Sequence, residues 1–283
     1  MRDIRRRIKT VRNIQQITKA LKMVAAARLQ RAEQRASAAR PYAQEMMTVL
    51  GHLSGAGEAI DNPLMETREP VNIGILLITS DRGMAGSYNT SVLRKVSAIV
   101  KLCNKANVKL VTVGKKGRAF FSKAGYDIIA DFPMPSSEIT FTDARAISIV
   151  IREAFVQKQV DVVHIVFTRF YTAIRQVVTD LQVLPVTSDA LGEGQAAVEE
   201  YMFEPKPGIL LGRLLPRYVD VQVYRAMLES LASEHGARMT SMTSATDNAG
   251  EMIDRLTLDL NRARQAAITK ELAEIVGGAN ALS

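Results

Sequence analysis

The feature that most constrains this chain lies in its last quarter. Val221, Leu228, His235, Met242, Ala249, Leu256 and Ala263 follow one another at strict steps of seven. Ala232, Met239, Ile253, Leu260 and Ala267 each stand four residues after a member of that series. An apolar repeat of seven is the seam of a left-handed coiled coil, because it keeps one stripe of a slightly underwound helix facing a partner. Between Pro216 and Gly277 there is no proline, and the internal glycines are Gly236 and Gly250. Roughly 60 residues at 1.5 Å each predict a rod of about 90 Å. The seam is thin, with Ala, Met and His where a coiled coil built for stability carries Leu and Ile. That suits a weak coiled coil or a slim shaft that must fit inside something, and periodicity does not separate the two.

Such a seam needs a second long helix, and the N-terminal segment supplies one. Ile4, Ile8, Val11, Ile14, Ile17, Leu21 and Val24 recur at steps of three and four, the spacing of a helical stripe. Ala25, Ala26 and Ala27 are strong helix formers. Pro41 is expected to do no more than kink this helix, because the pattern resumes through Met46, Val49 and Leu50 before "GHLSGAG" ends it. An antiparallel pairing would leave the longer C-terminal helix projecting beyond the N-terminus.

Charge is concentrated on the first helix. Residues 1–40 hold twelve Lys and Arg against Asp3 and Glu33, a net of +10. With +8 for the whole chain, the other 243 residues carry −2. An acidic partner is expected for that segment. Nucleic acid is one such partner, but the chain has no Trp and 5% aromatics, and no motif for stacking bases. Cys103 is the single cysteine, so neither an internal disulfide nor a multi-cysteine metal site is available. No stretch reaches the roughly 18 apolar residues of a membrane helix, and "MRDIRRRIKT" is not expected to be a secretory leader.

Between the rods the pattern changes. "VNIGILLIT", "VKLVTVG", "DIIADF" and "VDVVHIVFTRF" are short β-branched runs, separated by helical stretches near 87–106, 116–124 and 143–158. Strand alternating with helix predicts an open, mostly parallel sheet. "RQVVTDLQVLPV" predicts an edge strand arriving by hairpin from Phe170, and "SDALGEGQAAVEE" a flexible turn. The expected fold class is α/β: a long antiparallel coiled coil of terminal helices with a central Rossmann-like domain. The expected division is 1–58, 70–205 and 208–283.

The stretch "LLITSDRGMAGSYNTSVLRKV", residues 76–96, looks at first like a nucleotide loop. A phosphate-binding P-loop needs two glycines five apart, followed by Lys and Ser or Thr. Gly83 and Gly86 are three apart and are followed by Ser87 and Tyr88. A dinucleotide fold needs an acid at the end of its second strand, where this chain has Lys115 and Lys116. His52, His164 and His235 spell neither a triad nor a metal site. The loop is therefore read as a structural turn or a partner contact, with no catalytic, cofactor or metal residue assigned.

Three stretches carry a family resemblance: "ITKALKMVAAARLQRAE" (17–33), "TSDRGMAGSYN" (79–89) and "SEHGARMTSMTSATDNAGEMIDRLTLDLNRARQAAITKELAEIVGGANAL" (233–282). They resemble the gamma subunits of F-type ATP synthases, and the resemblance runs through essentially all of the chain. It implies a non-catalytic rotor shaft standing inside a ring of three alpha and three beta subunits. The α/β domain would sit beside the epsilon subunit and the membrane ring of c subunits. Leu21 and Arg238 would lie near an acidic lever loop of a beta subunit. Arg264, Gln265 and Thr269 would lie near its upper catch loop, with Ile275 and Val276 turning in an apolar sleeve. No cofactor is implied, since nucleotide and magnesium belong to the neighbours. The chain lacks the inserted regulatory cysteine pair of chloroplast members, and no transit peptide is expected. A bacterial member is implied, peripheral to the plasma membrane on its cytoplasmic side. The alternatives from other classes are a basic coiled-coil nucleic-acid adaptor and an α/β enzyme with an unrecognised site.

Overall fold

A computed structural model describes residues 1–55, 62–103, 107–135, 138–187 and 207–281. The predicted turn "SDALGEGQAAVEE" lies outside them. Helix α1 spans Arg2–Gly55 with Pro41 inside it. Strand β1 (Ile73–Ile78) leads to α2 (Tyr88–Lys101), β2 (Val108–Val113), α3 (Lys115–Lys123) and β3 (Asp127–Phe132). Then come α4 (Phe141–Val156), β4 (Val162–Phe170), β5 (Gln176–Leu184) and α5 (Pro207–Ala281). By packing, the chain forms two compact units, Met1–Ala25 with Met239–Ser283, and Ala26–Arg238.

The sheet of the second unit has the order β3-β2-β1-β4-β5. The first four strands are parallel, and β5 returns antiparallel to β4 with Phe170 opposite Gln176. This is the open α/β arrangement expected from the alternation of strands and helices. β1 lies at the centre and is buried from Gly74 to Ile78, which explains why it reads as a continuous apolar run rather than an alternating one. Ile75, Leu77, Val92, Val96, Leu110 and Phe121 form the core under α2 and α3. Helix α4 starts at a capping box: the Thr140 hydroxyl accepts from the Asp143 amide, and the Asp143 carboxylate accepts from the Thr140 amide.

In the first unit, α1 and α5 run antiparallel, as Thr246 meets Thr18 and Gly250 lies against Gln15. Every member of the seven-residue series read on α5 is buried or half-buried, from Val221 to Ala263. The stripe read on α1 needs correction. Ile14, Ile17 and Val24 are exposed, at 48%, 59% and 50%. The turned-in residues are Ile4, Val11, Thr18, Ala25 and Ala32, with Ile8, Gln15, Lys22 and Leu29, which is itself a heptad pattern. Polar Gln15 and Thr18 thus take seam positions while larger aliphatic neighbours face outward. Thr18 fits because its hydroxyl is satisfied, donating to the Gln15 carbonyl and accepting from Thr246.

Candidate functional site

In open α/β folds the ligand crevice lies outside the carboxyl ends of the strands, where the strand order reverses. Here that point falls between β1 and β4, and α5 fills it. Ser233 donates to the Thr168 carbonyl at 3.0 Å, and Arg238 donates to the Gly83 carbonyl at 3.2 Å. Tyr88, at the start of α2, is 4% exposed. Burial and the neighbouring Glu234 charge push its hydroxyl pKa up. Glu234 accepts from Arg238 at 2.6 Å. Its carboxyl is raised above the usual range by burial, which outweighs the guanidinium beside it.

The "TSDRGMAGSYN" loop is held by its own polar groups. The Asp81 carboxylate accepts from the Lys115 amide at 2.9 Å and so caps α3. The Thr79 hydroxyl accepts from the Gly117 amide at 2.9 Å. Asn89 bonds both the Ser80 amide and its hydroxyl, at 2.9 and 2.8 Å. The side chains of Thr79, Ser80, Asp81 and Asn89 are thus engaged in joining β1 to the β2–α3 turn or to α2. The loop is scaffold, and its carbonyl at Gly83 is a foothold for α5.

Arg238, one of the residues singled out by resemblance, belongs to this network. Its side chain is 11% exposed, and its fork serves Glu234, Gly83 and the imidazole of His235. His235 is 3% exposed. Its pKa falls to about 4, chiefly through burial and then through the charges of Arg238 and Arg28. A neutral imidazole is required, because Arg238 donates to Nδ1 at 3.4 Å.

The other singled-out residues lie in the unit formed by the two chain ends. Leu21 is half-buried on α1. Arg264, Gln265 and Thr269 are all exposed on one short stretch of α5, and the four-residue step puts Gln265 and Thr269 on one face. From Ile268 to Ile275 every side chain is exposed, with Ile268 at 50%, Leu272 at 57% and Ile275 at 68%. Val276 continues the same helix. On α1, Arg5, Arg6, Arg7 and Arg12 stand in solvent, with Arg6 paired to Asp3 at 3.1 Å. This unit therefore presents exposed aliphatic groups beside a basic surface, which fits an acidic protein surface with an apolar lining. Ile14, Ile17 and Val24 belong to that surface too. The sequence signal for them was an apolar stripe two positions wider than one seam requires.

The ATP synthase family model matches residues 1–282. The ATP synthase gamma chain of Heliobacterium modesticaldum is 48% identical over 288 residues, covering 100% of this chain and 99% of that one. That of Desulforamulus reducens is 47% identical over 281 residues, covering 99% and 98%. The cryo-EM structure of the central stalk and c-ring of the Tetrahymena thermophila mitochondrial ATP synthase contains a chain 28% identical. It aligns with a TM-score of 0.62 over 81% of this chain and 99% of its own. These likenesses favour neither the nucleic-acid adaptor nor the unrecognised enzyme. With a family model matched over nearly its whole length and relatives close to half identical, this chain belongs to the ATP synthase gamma-chain family.

Proposed function

We propose that this chain is the non-catalytic central shaft of an F-type ATP synthase. Ion flow turns a membrane ring of c subunits, the ring turns this chain, and its asymmetry takes three catalytic sites through different conformations in sequence. The observation that carries the reading is the exposed end of α5 in a member of this family. Ile268, Leu272 and Ile275 stand in water beyond the last seam residue. Burying each fully is worth about 1.5–3 kcal/mol, a gain that a close-fitting sleeve of alpha and beta subunits would supply.

Arg264, Gln265 and Thr269 are assigned to a catch on a beta subunit, Leu21 to its lever loop, and Ile275 and Val276 to the sleeve. Arg238 enters differently: with its guanidinium committed to Glu234 and Gly83, it acts on the lever loop through the position of the 79–89 turn. The α/β domain faces the epsilon subunit and the ring. Nucleotide and magnesium are held by the alpha and beta subunits. No helix among the described residues is long and apolar enough to cross a membrane. The chain is placed peripherally, on the cytoplasmic face of a bacterial plasma membrane, through the ring.

The test is rotation. A probe attached at Leu102→Cys, a position 90% exposed, with Cys103→Ser, is followed in a complex reconstituted with alpha and beta subunits. Stepwise rotation of the probe on adding ATP is expected. A probe that stays fixed while the complex hydrolyses ATP would refute the shaft.

A further inference from the structure

A groove of about 900 Å³ opens within the second unit, between α1, α5, the start of α4 and the end of β4. No role assigned to the shaft above uses it. Its α1 wall carries Ala36, Ala39 and Ala43, whose spacing of three and four puts them on one helix face. One-carbon side chains there leave the space open. The opposite wall is aromatic. Phe141 and Tyr224 meet edge to face with centroids 5.6 Å apart. The Arg217 guanidinium lies 4.7 Å from the Phe141 centroid and donates to the Tyr42 hydroxyl at 3.3 Å. The rings are thus held by their neighbours rather than by contents of the groove.

One end of the groove is charged. Glu229 is 6% exposed and sits between two arginines. Its Oε1 accepts from Arg225 Nε at 2.9 Å, while Oε2 lies 3.8 Å from Arg169 Nε. That oxygen is buried and has no hydrogen-bond partner, a costly state for a carboxylate. One carboxylate between two guanidinium groups leaves a positive charge at that end. Both arginine side chains are more than 40% exposed, so their outer N–H edges remain available for a second acid group.

We infer that this groove is a binding site for a small aromatic acid. The acid group pairs with Arg169 and Arg225, and the flat body lies between the alanine face and Phe141 and Tyr224. The volume falls within the range of small-molecule pockets, and the mix of apolar walls with a few converging polar groups is their usual chemistry. A protein segment is the less fitting occupant, because one acid group is enough to pair with the two exposed guanidinium edges.

The probe is 2-naphthoate, titrated into the isolated full-length chain and followed by ligand-observed NMR. Saturable binding of one molecule per chain is expected, with Kd of about 1 mM or tighter for a ligand of this size. The neutral 2-naphthamide should bind about tenfold more weakly, since it loses a charge-assisted pair. Ala39→Trp, which fills the groove, should abolish binding with circular dichroism unchanged. Arg169→Gln should weaken the acid and leave the amide untouched. The inference fails if binding does not saturate, if acid and amide bind alike, or if Ala39→Trp binds normally. It also fails if p-benzoylphenylalanine in place of Ala39 cross-links to another subunit of the assembled complex or to a second copy of this chain, because the groove then belongs to a protein. Since the titration uses the isolated chain, its outcome is independent of whether the shaft rotates.

Discussion

The hydroxyl of Ser233 on α5 donates to the carbonyl of Thr168 at the end of β4, 3.0 Å away, with both residues buried. The contact lays a helix across the position where a sheet of this topology would open to a nucleotide. The intact chain is therefore expected to bind neither ATP nor NAD. Calorimetric titration of the full-length chain checks this, and micromolar binding of either ligand would show that the 76–96 loop is more than scaffold.

Gly114 and Gly212 should respond oppositely to the same change. Gly114 has φ +92°, and an added Cβ would come within 2.7 Å of the Thr79 carbonyl carbon. Gly114→Ala is expected to lose about 3 kcal/mol or more, from the unfavourable φ and the backbone clash together. Gly212 lies inside α5, where an added Cβ would meet nothing closer than Asn62 Nδ2 at 4.0 Å. Gly212→Ala should gain about 0.5–1 kcal/mol, because glycine is the worse helix former. Denaturant midpoints of the two variants decide both.

Thr18 and Thr246 form a polar layer in the seam, oxygen to oxygen at 2.8 Å. Thr246→Val alone leaves Thr18 bonded to the Gln15 carbonyl, so the loss should be about 1 kcal/mol. The double variant Thr18→Val, Thr246→Val should recover most of that loss, because two aliphatic groups replace two satisfied hydroxyls. A double variant that loses the sum of the two single changes would show that the layer sets register as well as stability.

His235 should make stability fall below neutral pH. Its folded pKa of about 4 lies below the ordinary value near 6.5, so the unfolded chain takes up a proton on this ring that the folded chain refuses. The contribution is fully present above pH 6.5 and is lost as pH falls towards 4, with a slope of at most about 1.4 kcal/mol per pH unit. Burial is the chief cause of this direction, and the charges of Arg238 and Arg28 add to it. Glu234 has a raised pKa and works against it, taking up its proton in the folded chain as pH drops. His235→Gln should flatten the decline between pH 6.5 and 4 in urea melts, and an unchanged slope would count against a buried neutral imidazole.

The legible parts of the fold were those with a single period. Strict sevens on α5 named its seam correctly, and β-branched runs named all five strands. The face of α1 was not legible, since apolar residues at both Ile4–Ile8–Val11 and Ile14–Ile17–Val24 fit one helical spacing. Only the small and polar size of Gln15, Thr18 and Ala25 marks which face meets a partner helix closely. The plug at the switch point was also hidden. Nothing in "LESLASEHGAR" announces that Ser233 and Arg238 serve the sheet, because those contacts join residues 65 and 155 positions apart. The catch residues came from resemblance, and their exposure alone would not have distinguished them from any solvated helix end.

Arg264, Gln265 and Thr269 give the sharpest separation between a shaft that is gripped and one that works by shape. All three are exposed, and Gln265 and Thr269 share a face with Arg264 on its flank. A planar guanidinium and an amide together make several directed hydrogen bonds to a carboxylate-bearing loop. Each bond to a charged group is worth about 1.5–3 kcal/mol. Losing one such bond at the limiting step slows turnover by about tenfold or more. Arg264→Ala, Gln265→Ala and Thr269→Ala combined are therefore expected to lower steady-state ATP hydrolysis of the reconstituted complex by that factor. Helicity of the free chain should not change, because alanine is the best helix former. Circular dichroism of the free chain controls for folding, while hydrolysis rate and torque of the complex report the grip. Turnover and torque equal to the parent's would show that these side chains are merely solvated, and that the thin seam and exposed aliphatic end transmit rotation by shape.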